Sequence, residues 1–191
     1  MFVRLAKKNL EQGSIVNGEG VRAVIWAQGC SHNCKGCHNP ETHSFGGGYL
    51  VDVDNLKKEI SSLKLHDGVT LSGGDPMFQV EQFSEIAEYS KSLGFNVWCY
   101  TGFTFETLLK KAQKDEYLKK LLKNIDVLVD GKFILEQRSL NLYYKGSRNQ
   151  RVLDLQKSLK IGEPYEIEKY RGEKCFKTYH KEDKEQFEMF I

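Results

Sequence analysis

Three cysteines lie within eight positions in the first quarter of the chain. Cys30, Cys34 and Cys37 are separated by three and then two residues, in a segment that is otherwise polar. Three thiolates on one tight loop can reach three corners of an iron-sulfur cluster, which is ordinarily held by four cysteines. A set of three leaves one iron open, and an open metal position can bind a substrate, as it does in catalytic zinc sites.

A structural zinc site is the alternative interpretation of this loop, with His32 or His38 as the fourth ligand. It would make the protein a non-catalytic binding module. Structural zinc usually takes its ligands from two separated pairs, and the sequence contains no second pair. The other two cysteines, Cys99 and Cys175, fit core positions better, because free cysteines are usually buried.

A second motif, Leu71-Ser-Gly-Gly-Asp-Pro76, stands where a strand should end. Gly73 and Gly74 permit a tight turn, Asp75 is a typical N-cap, and Pro76 fits the first position of the next helix. Adjacent glycines also expose backbone N–H and C=O groups to a close ligand. The two interpretations are compatible, so both glycines are candidate ligand-binding residues.

Strands and helices are predicted to alternate around these motifs. Apolar runs predict strands over 23–29, 68–72, 95–100 and 125–129, and helical spacing predicts helices over 54–65, 80–93 and 105–122. This alternation predicts an α/β fold with a parallel sheet. The motifs follow strand ends, which is where parallel sheets and barrels bind their ligands.

The length limits how complete a barrel can be. A full eight-unit barrel needs roughly 250 residues, whereas this chain has 191. We therefore expect a partial (βα) barrel over residues 1–155. A charged and aromatic C-terminal extension over 156–191 is expected to pack on it.

Charge and hydropathy narrow the classes of partner and compartment. The formal net charge is +2, which favours neither nucleic acid nor a membrane surface as a partner. The sequence shows no secretory signal and no apolar run of the roughly 18 residues that a membrane span needs. We therefore expect a cytoplasmic protein, in which clustered cysteines bind metal more often than they form disulfides.

The motifs resemble those of radical S-adenosylmethionine (SAM) enzymes, whose signature is Cys-x3-Cys-x2-Cys after the first strand. Segment 29–42 is similar to the activating proteins of anaerobic ribonucleoside-triphosphate reductases, a branch of the glycyl-radical activating enzymes. Gly36 stands where many radical SAM enzymes have an aromatic residue, and this branch tends to have glycine there. Segments 73–76, 98–102, 127–133 and 144–151 follow in the order of that branch. The resemblance covers about Ser14 to Arg151.

The resemblance implies a partial barrel of the radical SAM type and two sets of site residues. The ligands of a 4Fe-4S cluster would be Cys30, Cys34 and Cys37. The residues whose backbone contacts SAM would be Gly36, Cys37, His38, Gly73 and Gly74. No side chain is expected to act as an acid or a base, because the cofactors carry the chemistry.

The resemblance also implies an oxidoreductase with a protein substrate. An electron donor such as flavodoxin would reduce the cluster, and SAM would be cleaved to methionine and a 5'-deoxyadenosyl radical. That radical would take a hydrogen from a glycine on the large subunit of anaerobic ribonucleoside-triphosphate reductase. The alternatives within the superfamily are 7-carboxy-7-deazaguanine synthase, to which Gly-Glu-Gly at 18–20 is similar, and pyruvate formate-lyase activase.

Several polar residues have less certain roles. Asp130 and Lys132 fit solvated turn charges better than an ion pair in a site. Arg148, Asn149 and Gln150 could hold a substrate backbone or the SAM carboxylate, or could tie down a loop. The histidines without an evident partner, expected on the surface or in packing, are His32, His43, His66 and His180.

Overall fold

The computed structural model describes residues 1–174, in which strands alternate with helices along most of the chain. The strands are β1 (Phe2–Leu5), β2 (Glu11–Ser14), β3 (Arg22–Ala27), β4 (Tyr49–Asp52), β5 (Gly68–Gly73), β6 (Asn96–Tyr100), β7 (Val127–Asp130) and β8 (Arg151–Asp154). The helices are α1 (Val53–Ser61), α2 (Val80–Ser92), α3 (Phe105–Ala112), α4 (Glu116–Lys123) and α5 (Leu155–Ile161). The predicted α/β class is confirmed. Cys175 and His180 lie outside the described residues.

All the strands of the described part join one mixed sheet, in the order β4-β1-β3-β5-β6-β7-β8, with β2 also paired to β3. The four central strands β3, β5, β6 and β7 are parallel, as the alternation of strands and helices predicts. Four further strands, β1, β2, β4 and β8, were not predicted; they pair antiparallel and are only four residues long. The outermost strands do not pair with each other, so the sheet is open and a barrel is not confirmed.

The two faces of the sheet are covered differently. Because side chains alternate along a strand, Val97 and Cys99 of β6 join the apolar core that also contains helix residues such as Phe83. Trp98, from the same strand, points to the opposite face and joins a smaller cluster with Tyr170. The helices therefore cover one face, and loop segments cover part of the other.

The predicted helix over 105–122 is wrong in one respect, because it is two helices. After α3 ends, the Asp115 side chain accepts a hydrogen bond from the Leu118 backbone N–H at 2.9 Å and so caps the start of α4. An N-cap aspartate accepts a hydrogen bond from a backbone N–H that would otherwise be unpaired in the first turn of a helix. This favours a second helix that begins after Asp115 over one continuous helix.

The described part of the C-terminal extension begins within α5, which spans the predicted boundary at 155. Farther along, Tyr170 is buried with its ring centroid 5.8 Å from that of Trp98. The chain therefore returns to the sheet face that the helices leave open. Within residues 1–174, no helix combines the length and the apolar character that crossing a membrane requires.

Candidate functional site

The three clustered cysteines lie on the loop of residues 28–39 that follows β3, hereafter the cysteine loop. All three line a cleft of about 690 Å³ and are half-buried. The Cys37 backbone N–H donates to the Cys34 carbonyl at 3.1 Å, in a turn that places Gly36 at a φ of 71°. A positive φ is accessible to glycine at little cost, which explains the residue type at this position.

Burial is the main cause that raises the pKa of the Cys30 thiol above its ordinary value. The nearby Asp75 carboxylate and the other two cysteines raise it further, and a hydrogen bond to the His32 backbone opposes them. Thiolates, not thiols, are the metal ligands. Metal binding at this loop would therefore release protons and depend on pH.

A single zinc ion and an iron-sulfur cluster need different arrangements of the same thiolates. Within residues 1–174, no three His, Cys, Asp or Glu side chains converge closely enough to hold one metal ion. Zinc needs its ligands about 2.0–2.3 Å from one point, whereas the irons of a cluster present separate corners to its thiolates. His38 packs against Phe133, with ring centroids 4.8 Å apart.

The second motif forms a glycine turn against the base of the cysteine loop. At Gly73, where φ is 103°, an added Cβ would lie 2.5 Å from the Ala27 carbonyl oxygen. At Gly74, a Cβ would lie 2.6 Å from the Gly29 carbonyl oxygen. Only glycine allows this approach. Both glycines line the same cleft as the cysteines, so the structure brings the two predicted groups of site residues together.

Asp75 joins three loops at this edge of the sheet. Its carboxylate is fully buried and accepts hydrogen bonds from Met77 N at 2.9 Å, Thr101 Oγ1 at 2.9 Å and Gly102 N at 3.0 Å. His32 Nε2 lies 2.7 Å from the same carboxylate. Asp75 thus acts as an N-cap, but of a 3-10 turn rather than of the predicted helix, since α2 begins only at Val80.

The expectation that His32 has no partner is wrong. Its side chain is only 8% exposed and binds Asp75, so Nε2 is not free to complete a zinc site. A usable signal was present in the sequence. A histidine between two clustered cysteines and an acid after Gly-Gly both follow ends of parallel strands, which meet at one edge of the sheet.

The assignment of Asp130 to a solvated turn is also wrong. Its side chain is fully buried and accepts hydrogen bonds from Phe105 N at 2.7 Å and from Arg151 Nε at 2.9 Å. Arg151 also donates to Glu106. Lys132 is exposed and does not pair with Asp130. A buried carboxylate needs such donors, and the residues that supply them lie 25 and 21 residues away in sequence.

The polar residues at 148–150 tie down a loop. Gln150 Oε1 accepts hydrogen bonds from the Gly146 and Ser147 backbone N–H groups at 2.9 and 3.2 Å. Asn149 Nδ2 donates to the Lys132 carbonyl at 2.8 Å. Arg148 pairs with Glu173 at 2.7 Å. Of their two predicted roles, the structure therefore shows the structural one.

Comparison with known proteins also indicates an iron-sulfur cluster. Residues 16–153 match the family described as a 4Fe-4S single cluster domain. A Haemophilus influenzae protein is 38% identical over 144 residues, which cover 71% of this chain and 89% of the relative. A Vibrio cholerae relative is 37% identical over 145 residues, or 71% and 89%, and one from Enterobacteria phage T4 is 33% identical over 143, or 72% and 86%. All three are named anaerobic ribonucleoside-triphosphate reductase-activating protein.

Proposed function

Since this chain belongs to the family of anaerobic ribonucleoside-triphosphate reductase-activating proteins, we propose that it is a radical SAM activase of such a reductase. The observation that carries the proposal is the shared cleft. The three cysteines and the Gly73–Gly74 turn line one cavity at the carboxyl ends of parallel strands.

In this proposal Cys30, Cys34 and Cys37 hold a 4Fe-4S cluster through three of its irons. A fourth cysteine is not at hand among the described residues, because Cys99 is fully buried in the core on the helix-covered face. When bound, the cluster would supply the electron for the cleavage of SAM to methionine and a 5'-deoxyadenosyl radical. That radical would take a hydrogen atom from a glycine of the reductase.

The chain itself would bind and orient SAM, mainly through backbone groups. Residues 36–38 and the Gly73–Gly74 turn lie on the cleft or next to its lining. Gly146 approaches His38 so closely that an added Cβ would lie 2.8 Å from the ring. The loop around Gly146 therefore packs against the end of the cysteine loop, and this contact would help to exclude water from the reacting groups.

An open sheet would suit a protein substrate that must reach the cleft. A glycine within a reductase loop is part of a bulky partner, and a sheet that is not closed leaves one side accessible. In this arrangement, a partial barrel of the radical SAM type would receive the glycine loop of the large subunit. The electron donor would be a carrier such as flavodoxin, and the reducing cytoplasm would keep the thiols available.

The test begins with wild-type protein purified and reconstituted without oxygen. Iron and sulfide analysis with an absorption spectrum should show a brown 4Fe-4S protein that cleaves SAM when reduced. Mixed with its reductase, SAM and reductant, it should produce a glycyl radical detected by electron paramagnetic resonance (EPR).

Two other outcomes would replace the proposal. Cleavage of SAM without a glycyl radical would favour another small radical SAM enzyme, such as the deazaguanine synthase or the formate-lyase activase. A colourless protein containing one zinc ion would favour the non-catalytic binding module.

A further inference from the structure

We propose that His32 is a positioning residue, which holds the cysteine loop against the Gly73–Gly74 turn by binding Asp75. The inference rests on the proposed function, in that the loop would carry the cluster and the turn would contact SAM. The His32–Asp75 pair would keep the open iron and the SAM-binding backbone at a fixed separation.

The His32 ring is enclosed by two aromatic rings and a glycine. Its centroid lies 4.6 Å from that of Phe103, in an edge-on arrangement, and 5.6 Å from that of Phe78. Gly102 forms another wall, where an added Cβ would lie 2.4 Å from the His32 ring. The enclosed ring directs Nε2 at the Asp75 carboxylate, 2.7 Å away.

The Asp75 carboxylate does not depend on this histidine for its own hydrogen bonds. Met77, Thr101 and Gly102 already supply three donors from the strand ends and the turn. A buried carboxylate with these partners is satisfied. His32 is the partner that comes from the cysteine loop, so the bond chiefly constrains that loop.

The loop has few other constraints at this point. Its base is tied by backbone bonds, from Gly29 N to Thr42 O at 2.8 Å and from Cys30 N to His43 O at 3.1 Å. From 31 to 36, and within the part of the chain that the structure describes, the His32 side chain makes the only hydrogen bond that leaves the cysteine loop. Gly36 also lies against Leu135, to whose side chain an added Cβ would come within 2.9 Å, so His32 supplies the polar contact that fixes this segment relative to the glycine turn.

The test compares three substitutions in the reconstituted full-length protein. His32→Phe keeps a ring for Phe78 and Phe103 but removes the hydrogen bond, whereas His32→Gln places an amide N–H at a similar reach. His66→Gln is the matched control, since His66 precedes β5 at the opposite end of the parallel strands. Each variant is assayed for thermal unfolding, iron release to a chelator, and SAM cleavage.

We expect His32→Phe to retain the wild-type unfolding temperature but to release iron about 10-fold faster. Its SAM cleavage should fall about 10- to 100-fold, the loss that substitutions of outer-shell partners typically cause, and the loss should appear mainly as a raised KM for SAM because the variant misplaces the SAM-binding backbone. More SAM should also be needed to change the EPR signal of its reduced cluster. His32→Gln should recover most of each loss, and His66→Gln should behave as wild type.

Wild-type iron release and SAM dependence in a folded His32→Phe would overturn the proposal. If that variant does not fold, His32→Asn, whose amide is too short to reach Asp75, takes its place with the same expected losses. If wild-type protein does not cleave SAM, the proposed function fails, and the iron-release rates still test the His32–Asp75 pair. If wild type cleaves SAM and the variants match it, only the positioning role fails.

Discussion

Each edge of the parallel sheet buries a charged side chain that connects the same three strands, Asp75 at the carboxyl edge and Arg22 at the amino edge. Arg22 is 1% exposed and donates to Thr70 Oγ1 at 2.6 Å and to the Val69 and Asn96 carbonyls, each at 2.8 Å. Both groups therefore connect β3, β5 and β6, and both satisfy the rule that a buried charge needs partners.

The two side chains differ in what their partners do. Arg22 binds atoms of the strands themselves, and its removal affects the alignment of the sheet. Asp75 binds loops that surround the cleft, including the loop that carries the cysteines. In parallel sheets and barrels, the carboxyl edge carries the chemistry and the amino edge carries stability. We therefore expect substitutions at the carboxyl edge to stop the reaction in a protein that still folds. Substitutions at the amino edge should instead lower the stability of the fold.

The largest effect is expected for Cys34→Ala at the carboxyl edge. Loss of one of three thiolates should abolish 4Fe-4S incorporation and SAM cleavage, because two cysteines cannot hold the cluster. Cys34 is only half-buried, so the fold should survive, with an unchanged circular dichroism spectrum. Cys99→Ala is the control and should keep both cluster and cleavage. Normal SAM cleavage by Cys34→Ala would contradict the assignment of the site.

A smaller but still large effect is expected for Gly74→Ala. Its Cβ would lie 2.6 Å from the Gly29 carbonyl oxygen, and the turn must move away from the cysteine loop. A displacement of about 1 Å in a catalytic arrangement can cost about 100-fold in rate, and we expect a loss of that order in SAM cleavage. Gly46→Ala is the control, since the nearest atom to its Cβ would be 4.0 Å away. Equal rates for the two variants would show that the turn does not position SAM.

The central strands and their helices could be predicted because local patterns determine them. The alternation of apolar runs with helical spacing located β5, α2 and β6 to within one or two residues at each end. The four antiparallel strands could not be predicted in this way. They are too short for periodicity to be detected, and their pairing depends on distant segments, as when Phe2 pairs with Asp52.

In the site, too, features set by local sequence could be predicted, and contacts between distant segments could not. Spacing and glycine content located the cysteines and the Gly73–Gly74 turn without any tertiary information. The partners of His32 and Asp130 lie at least 21 residues away in sequence, so local patterns identified neither of them. The one usable signal was that His32 and Asp75 both follow ends of parallel strands. The errors were to expect no partner for His32 and to treat Asp130 as a solvated turn charge, whereas the fold buries both side chains and supplies hydrogen bonds to them.

At the amino edge, Arg22→Met tests the other half of the comparison. It removes the donors of several buried acceptors, and each unsatisfied group costs about 1–3 kcal/mol. We expect the free energy of unfolding to fall by about 3 kcal/mol, measured by urea denaturation. Iron content and SAM cleavage per folded molecule should stay at wild-type values. A loss of activity without a loss of stability would mean that the amino edge also serves the reaction.

Arg22→Lys is the control for charge. Lysine keeps the charge but lacks the planar fork that reaches several acceptors at once. It should therefore recover only part of the lost stability. Full recovery would show that the charge alone matters at this position.

The smallest effect concerns a charged pair that lies at the carboxyl edge but serves only the fold. Arg151 donates to both oxygens of Glu106, each at 2.9 Å, and this lowers the pKa of Glu106 to about 2. Glu106 is 55% exposed, so the pair should contribute less than about 1 kcal/mol. Because the pKa of Glu106 is lowered in the folded protein, its charge stabilises the fold at pH values above the ordinary carboxyl pKa of 4.5. This contribution disappears as the pH falls towards about 2.

The corresponding variant is Glu106→Gln, compared with wild type by urea denaturation across pH. The free energy of unfolding of Glu106→Gln should be slightly lower than that of wild type at pH 7. This difference should shrink as the pH falls from about 4.5 to about 2, the ordinary and the lowered pKa of Glu106. Glu116→Gln, on an 83% exposed side chain, should change little at any pH. SAM cleavage should be unaffected by either substitution, because neither carboxylate lines the cleft that holds the cysteines. A difference that persisted unchanged to pH 2 would show that the stabilisation does not come from the Glu106 charge.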